Sequence, residues 1–197
     1  MPFIGIVSKK SKFDISNTVY QNMANNMKKT YILTCIDENI IYDEGTNYIL
    51  NLNGENIENI KNIKLDVVLI ISEDMEFLKN EAIHNQIVNC KYLIINNDIP
   101  SNLELAYALN NIILTYGFNL KSTITTSSID EFSGNIIVCT QRNIETINDF
   151  TIEPQEINIS TNNMNDITTN DAYSIMAVVT CMLIFGITNI KILNQNT

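Results

Sequence analysis

Short, wholly apolar runs alternate along this chain with segments whose apolar residues recur every three or four positions. Phe3 to Val7, Val67 to Ile71 and Tyr92 to Ile95 lack the apolar-polar alternation of a half-exposed strand, so they predict strands covered on both faces. Between them Ile15, Val19, Met23 and Met27 stand at helical spacing, and Lys28 and Lys29 suit that helix's last turn. Tyr31 to Ile36 reads as a second strand. The pattern loosens from Asp37 to Gly54, where Ile40 to Tyr42 and Tyr48 to Leu52 predict a hairpin around Asp43-Glu44-Gly45-Thr46. A short helix over Glu55 to Ile60 leads to the Val67 strand, and Glu73 to Gln86 predicts a helix capped by Ser72. Asn96-Asn97-Asp98-Ile99-Pro100 is a turn, Ser101 to Asn110 a helix with Leu105 and Leu109 on one face, and Ile112 to Tyr116 a strand closed by Gly117.

Alternation of buried strands and amphipathic helices implies a mainly parallel sheet flanked by helices. The period then shortens. Thr123 to Ser127, Ile136 to Thr140, Glu145 to Ile147 and Ile152 to Ile159 are separated by Asp-, Gly- and Asn-rich turns and predict a small antiparallel sheet. A polar loop from Ser160 to Thr169 precedes a last helix, from Asn170 or Asp171 to Phe185. No repeat or linker divides the 197 residues, so the fold class is α/β, in one domain over residues 1–197.

Composition narrows the function classes. A net charge of -10 with only 17% charged residues argues against a surface for nucleic-acid phosphates or an anionic membrane, which needs many clustered Lys and Arg. Cys35, Cys90, Cys139 and Cys181 stand far apart in or beside apolar runs, which fits buried thiols in a reducing compartment rather than a zinc site or a disulfide scaffold. No signal-peptide order opens the chain, and Ile175 to Ile187 is too short to span a bilayer. The expected location is cytoplasmic.

The loop after the first strand carries the most chemistry. Val7-Ser8-Lys9-Lys10-Ser11-Lys12-Phe13-Asp14 sits where an α/β nucleotide fold keeps its phosphate loop. Such a loop needs glycines, so that backbone N–H groups converge on the phosphates, a lysine for the outer oxygens and a hydroxyl for Mg²⁺. Lys12 is in place, but the glycines are missing and Phe13 stands at the hydroxyl position, where it cannot bind a metal. Three readings follow: a competent ATP site, a weakened anion or nucleotide site, or a solvated lysine-rich turn.

Ile4 to Asp14 resembles the opening of the central, ATP-binding domain of Mur ligases, the ATP-dependent amide-forming enzymes of bacterial cell-wall synthesis. That family shows a strand, Gly-Thr-Asn-Gly-Lys-Thr and a helix. In this match Lys12 falls on the phosphate-binding lysine, Ser8 and Ser11 on the two glycines and Phe13 on the magnesium-binding Thr. Asp66 to Ile71 with Ser72-Glu73-Asp74 is similar to the strand that runs into Thr-Asn and Asp-His, without the His. Lys91 to Asp98 is similar to the strand ending in Asn-x-Asp-Asp, which implies Asn96 and Asp98 near adenine and ribose. Thr115-Tyr116-Gly117 resembles the Thr-Tyr/Phe-Gly strand end. Asn170 to Ile187 resembles the helix Asn-x-x-Asn-x-x-Ala-Ala that ends in Leu-Gly, with Ser174 at the second Asn.

The resemblance covers nearly the whole chain in short, ordered pieces. It implies ATP as cofactor, held weakly by so altered a loop. The family's catalytic Glu, carbamylated Lys and His find no assigned positions, and no segment matches its domains for the UDP-sugar precursor and the incoming amino acid. The resemblance therefore assigns no catalytic residue and no metal ligand to this chain.

Arg142, the one arginine in the chain, is a candidate anion contact, with Glu153 or Glu156 as the alternative internal partner. His84, the one histidine, has no strong ligand at one-turn spacing and reads as a surface or half-buried imidazole. Ser127-Ser128 lacks a base. The last helix carries only Tyr173, Ser174 and Thr180 as polar side chains over Ala172 to Ile187, so it is either buried in its own domain or half exposed against a second copy or a partner protein.

These features support a non-catalytic, regulatory or binding relative of the Mur ligase ATP-binding domain. The alternatives are an amide ligase subunit completed by a partner, and a small-molecule-binding α/β protein outside cell-wall chemistry.

Overall fold

A computed structural model describes residues 2–7, 14–26, 29–33, 45–52, 63–71, 75–107, 109–130, 134–161 and 167–192. The parallel part runs β1 (Phe3–Val7), α1 (Ile15–Asn26), β2 (Thr30–Leu33), β3 (Asn47–Leu52), β4 (Val67–Ile70), α2 (Met75–Leu78), α3 (Glu81–Asn89), β5 (Tyr92–Asn96), α4 (Pro100–Tyr107) and β6 (Ile112–Tyr116). It is followed by β7 (Ile124–Asp130), β8 (Asn135–Thr140), β9 (Ile144–Glu145), β10 (Thr151–Ile152), β11 (Glu156–Ser160) and α5 (Thr169–Ile184). Nine strands share one sheet in the order β11-β8-β7-β6-β5-β4-β1-β3-β2, and β9 and β10 form a separate pair.

The expected mainly parallel sheet is present, and β1 pairs in parallel with β4, Ile4 opposite Val67. The antiparallel strands extend that sheet: β8 pairs antiparallel with both β7 and β11. The stretch from Ile152 to Ile159 divides into β10 and β11 around Pro154, and the strand predicted over Glu145 to Ile147 is β9, ending at Glu145.

The hairpin reading of Tyr48 to Leu52 is overturned. This segment is β3, parallel to both β1 and β2. Tyr48-Ile49-Leu50 and Leu52 are all buried, the continuous pattern of an inner parallel strand rather than a hairpin arm. Residues 40–42, its expected partner, lie outside the described residues, as do the helix expected at 55–60 and the cap at Ser72. The helix expected from Glu73 to Gln86 is two helices, because Asn80 interrupts it and caps α3 by accepting the Ala82 N–H at 3.0 Å.

Two cores flank the sheet, and side-chain alternation along each strand assigns residues to them. Ile4, Ile6, Val67, Leu69, Tyr92, Ile94, Leu114 and Tyr116 face α1 and α5. Phe3, Val7, Val68, Ile70, Leu93 and Ile95 face α2, α3 and α4.

The last helix lies inside its own chain from its second turn onward. Every residue of α5 from Ser174 to Ile184 is buried, which overturns the half-exposed alternative. Two of its polar side chains are satisfied within the helix itself. The Ser174 hydroxyl donates to the Asn170 carbonyl at 3.0 Å and the Thr180 hydroxyl to the Met176 carbonyl at 2.7 Å. A capping box starts the helix one or two residues earlier than expected: Thr168 Oγ1 accepts the Asp171 N–H, and Asp171 Oδ2 accepts the Thr168 N–H at 2.9 Å. At the other end Gly186 takes φ +74°. There the Ile187 N–H reaches the Met182 carbonyl and the Gly186 N–H the Leu183 carbonyl, the paired bonds of a Schellman end.

Candidate functional site

In the strand order, the connection after β1 goes to one side of the sheet and the connection after β4 to the other. Loops diverge at such a point and leave a crevice at the carboxyl ends of the strands, where open α/β sheets bind ligands. Ser8, Ser11, Lys12 and Phe13 fall in sequence between β1 and α1. Those four residues lie outside the described residues, as do Glu73, Asp74 and the segment Cys35 to Glu38. What flanks them is defined. The Ile71 N–H donates to the Val7 carbonyl at 2.9 Å, closing the ends of β1 and β4 together.

Asp14 begins α1. Its Oδ1 accepts the Asn17 N–H at 2.9 Å, and its carbonyl accepts the Thr18 N–H at 3.0 Å. This is an N-cap with a fixed carboxylate: one donor that would otherwise face the crevice is satisfied from within the chain, and a negative charge sits at the positive end of the helix. Beside it Ser16 hydrogen-bonds to Asn51 at the end of β3.

The candidates Asn96 and Asp98 do meet at the end of β5. Asn96 Oδ1 accepts the Asp98 N–H at 2.9 Å, an Asx turn that aims the next carboxylate outward from the strand. Asp98 then joins three elements. Its Oδ2 accepts the Phe118 N–H at 2.6 Å and the Tyr173 hydroxyl at 2.9 Å, and its Oδ1 accepts the Asn119 N–H at 3.1 Å. The carboxylate therefore ties the loop after β6 and the start of α5 to the end of β5. Gly117 at φ +152° makes room for it, since a Cβ there would stand 2.7 Å from Asp98 Oδ2.

Tyr173 was not singled out from the sequence as a site residue. The signal available was its place as the single aromatic hydroxyl in an otherwise apolar helix. The ring also packs edge-on against Phe118, with centroids 4.9 Å apart.

Arg142 is not part of this group. It lies beside Ile112, Ile113 and Leu114 at the start of β6, whereas Asn96 is level with Tyr116 at its end, about 7–13 Å along the strand. Its Nη2 donates to the Lys121 carbonyl at 2.9 Å, and among the described residues it makes no ion pair with Glu153 or Glu156.

His84 is exposed on α3. Among the described residues no group of three His, Cys, Asp or Glu side chains is placed to hold a metal. Cys90, Cys139 and Cys181 are buried free thiols. Burial pushes the Cys90 and Cys181 thiols from 9.0 up to about 12, so neither is a ready nucleophile. No helix among the described residues is long and apolar enough to cross a membrane.

No protein-family model matches the chain, and no curated protein matches its sequence. Solved structures do match its fold. MurF from Acinetobacter baumannii superposes with a TM-score of 0.64 at 11% identity, over 96% of this chain and 43% of that one. UDP-N-acetylmuramoyl-L-alanyl-D-glutamate–2,6-diaminopimelate ligase gives 0.62 at 11%, over 92% and 42%. The UDP-N-acetylmuramate:L-alanyl-gamma-D-glutamyl-meso-diaminopimelate ligase (MPL) from Neisseria meningitides gives 0.62 at 7%, over 94% and 62%. The chain thus spans less than two thirds of each of these ligases. With the parallel sheet and its antiparallel extension in place, the fold is that of the Mur ligases.

Proposed function

We propose that this chain is a binding or regulatory module on the Mur ligase fold, linked to cell-wall metabolism, that does not turn over ATP by itself. The observation that carries the reading is the start of α1. A phosphate loop works by offering unsatisfied N–H groups and the helix's positive end to phosphate oxygens. Here Asp14 supplies a carboxylate to that end from within the chain. It does so one residue after Phe13, which takes the position of the metal-binding hydroxyl, in a loop where Ser8 and Ser11 replace glycines. Lys12 remains as the one matching charge, so the site holds at most a weakened polyanion contact. The link to cell-wall metabolism rests on the fold shared with MurF and MPL.

Calorimetric titration with ATP, ADP and a UDP-sugar peptide precursor, with and without Mg²⁺, alongside an ADP-release assay, tests this reading. The expected outcome is no metal-dependent ADP release, and tighter ATP binding on Asp14→Ser. Mg²⁺-dependent ADP release that disappears on Lys12→Ala would overturn it.

A further inference from the structure

The sheet has an opening at the junction of its two halves. β6 is five residues long and pairs along its whole length with β5, but it meets β7 through a single rung, Tyr116 opposite Ile124. The direction of each β6 backbone group follows from its bonds. The Ile112 N–H donates to the Lys91 carbonyl, and the Tyr116 carbonyl accepts the Asn97 N–H, so Ile112, Leu114 and Tyr116 spend their groups on the β5 side. Ile113 and Thr115 point the other way. Thr115 is satisfied there: its N–H donates to Thr123 Oγ1 at 3.3 Å, and the rung to Ile124 takes its carbonyl. Ile113 has no ladder partner on that side among the described residues. Ile113 is one of the residues lining a cavity of about 410 Å³, with Leu114, Thr123, Arg142, Glu145 and Thr151 among the others.

Three features say what fits. A free N–H and carbonyl on a strand edge are met together by the backbone of an extended peptide. Ile112, an apolar side chain 37% exposed at the same edge, offers contact to an apolar neighbour on that peptide. Arg142 is fixed by one bond to Lys121, which leaves most of its guanidinium donors for an occupant, and it makes no ion pair with Glu145 across the shared lining among the described residues. Glu145 and the net charge of -10 repel further negative charge.

From this geometry we propose that the open edge of β6 is a docking site for an extended segment of a partner protein. That segment carries one carboxylate side chain, placed to reach Arg142, and is otherwise apolar or uncharged. The site lies away from the carboxyl-end crevice and deepens the reading of the chain as a binding module. The two stand or fall separately: ATP turnover would remove the non-catalytic reading and leave the edge untouched.

The test uses the full chain and a blocked pentapeptide of alternating valine and threonine with one central aspartate, followed by amide chemical shifts. The expected result is perturbation centred on Ile113 and the Arg142 side chain. Replacing the aspartate by asparagine weakens binding by roughly fivefold, the size of a solvent-exposed charge pair. Arg142→Gln erases the difference between the two peptides. Ile113→Pro deletes a donor that no internal ladder uses, so the sheet is retained while both peptides bind more weakly. An amide-exchange profile of that variant confirms folding, and Arg142→Gln keeps the test decisive if the proline variant does not fold. Equal binding of both peptides to the unaltered chain, shifts centred on the outer strands β2 or β11, or no shifts at millimolar peptide would each overturn the proposal.

Discussion

The two faces of the sheet are covered in different ways. On one, a single sixteen-residue helix, α5, lies over strands of both the parallel and the antiparallel halves, and its core takes in Ile124, Ile136, Val138, Ile157 and Ile159. On the other, the short helices α2, α3 and α4 cover parallel strands alone, and no residue of β7, β8 or β11 joins that core. Among the described residues the antiparallel half is therefore packed on one side only. Its sequence shows this: β11 alternates exposed and buried from Glu156 to Ser160, while β4 and β5 are buried throughout. Continuous apolar runs mark strands between two helical layers, and alternating runs mark strands beneath one.

If α5 joins the two halves, damage to it outweighs equivalent damage on the other face. Leu183→Ala, at a fully buried position of α5, is expected to cost about 2–5 kcal/mol, whereas Leu105→Ala, half buried on α4, costs about 1 kcal/mol. Urea unfolding of the two variants compares them, and equal losses would break the contrast.

Gly186 sharpens the same point at the helix end. Alanine there needs a positive φ, and its Cβ would overlap the Phe150 ring. Gly186→Ala is expected to lose about 2–3 kcal/mol, from backbone strain together with overpacking. Adding Phe150→Ala in a double-mutant cycle should recover the packing share and leave the strain. Full recovery would show that backbone conformation has no part in the loss.

The last effect is absent at neutral pH and appears only above about pH 9. Cys181 is buried in α5 with its thiol raised from 9.0 to about 12. Between those values the unfolded chain releases this proton and the folded chain keeps it. Stability from this group is thus complete below about pH 9 and is lost as pH rises toward 12, at about 1.4 kcal/mol per pH unit. Cys90 acts in the same direction from the other face. Cys181→Ala should make the fall above pH 9 shallower than in the unaltered chain. An identical fall would place the thiol in contact with solvent.

Much of the parallel half was legible because the signal is local. Five apolar runs and the helices between them gave the strand at Phe3, the strand at Val67 and their parallel pairing. The insertion of β3 between β1 and β2 was not legible, since a short run ending in polar residues fits a hairpin arm as well as an inner strand, and only long-range pairing decides. Burial of α5 was also undecided by its sequence. Ser174 and Thr180 look like a polar seam until their bonds to carbonyls one turn back are seen.

At the candidate site, Asn96 and Asp98 were found as neighbours, but Tyr173 stands 75 residues from Asp98 and no local spacing connects them. Arg142 was found by its rarity, and its separation from the crevice follows from the stagger of β7 against β6, which no side-chain pattern encodes.

The tie between Asn22 and Lys191 has a consequence for the order in which the molecule is made. Asn22 Nδ2 donates to the Lys191 carbonyl at 2.7 Å, and Asn22 Oδ1 accepts the Lys191 N–H at the same distance, joining positions 169 residues apart. The same late stretch follows α5, which covers one whole core. During synthesis the strands from β1 to β11 leave the ribosome before any of this cover exists. A nascent chain that has reached Ser160 holds nine strands' worth of apolar side chains on that face, and among the described residues α1 is the only helix there to shield them. Because contacts so distant in sequence are slow to close, the growing chain is most exposed to mispairing just before its last helix emerges.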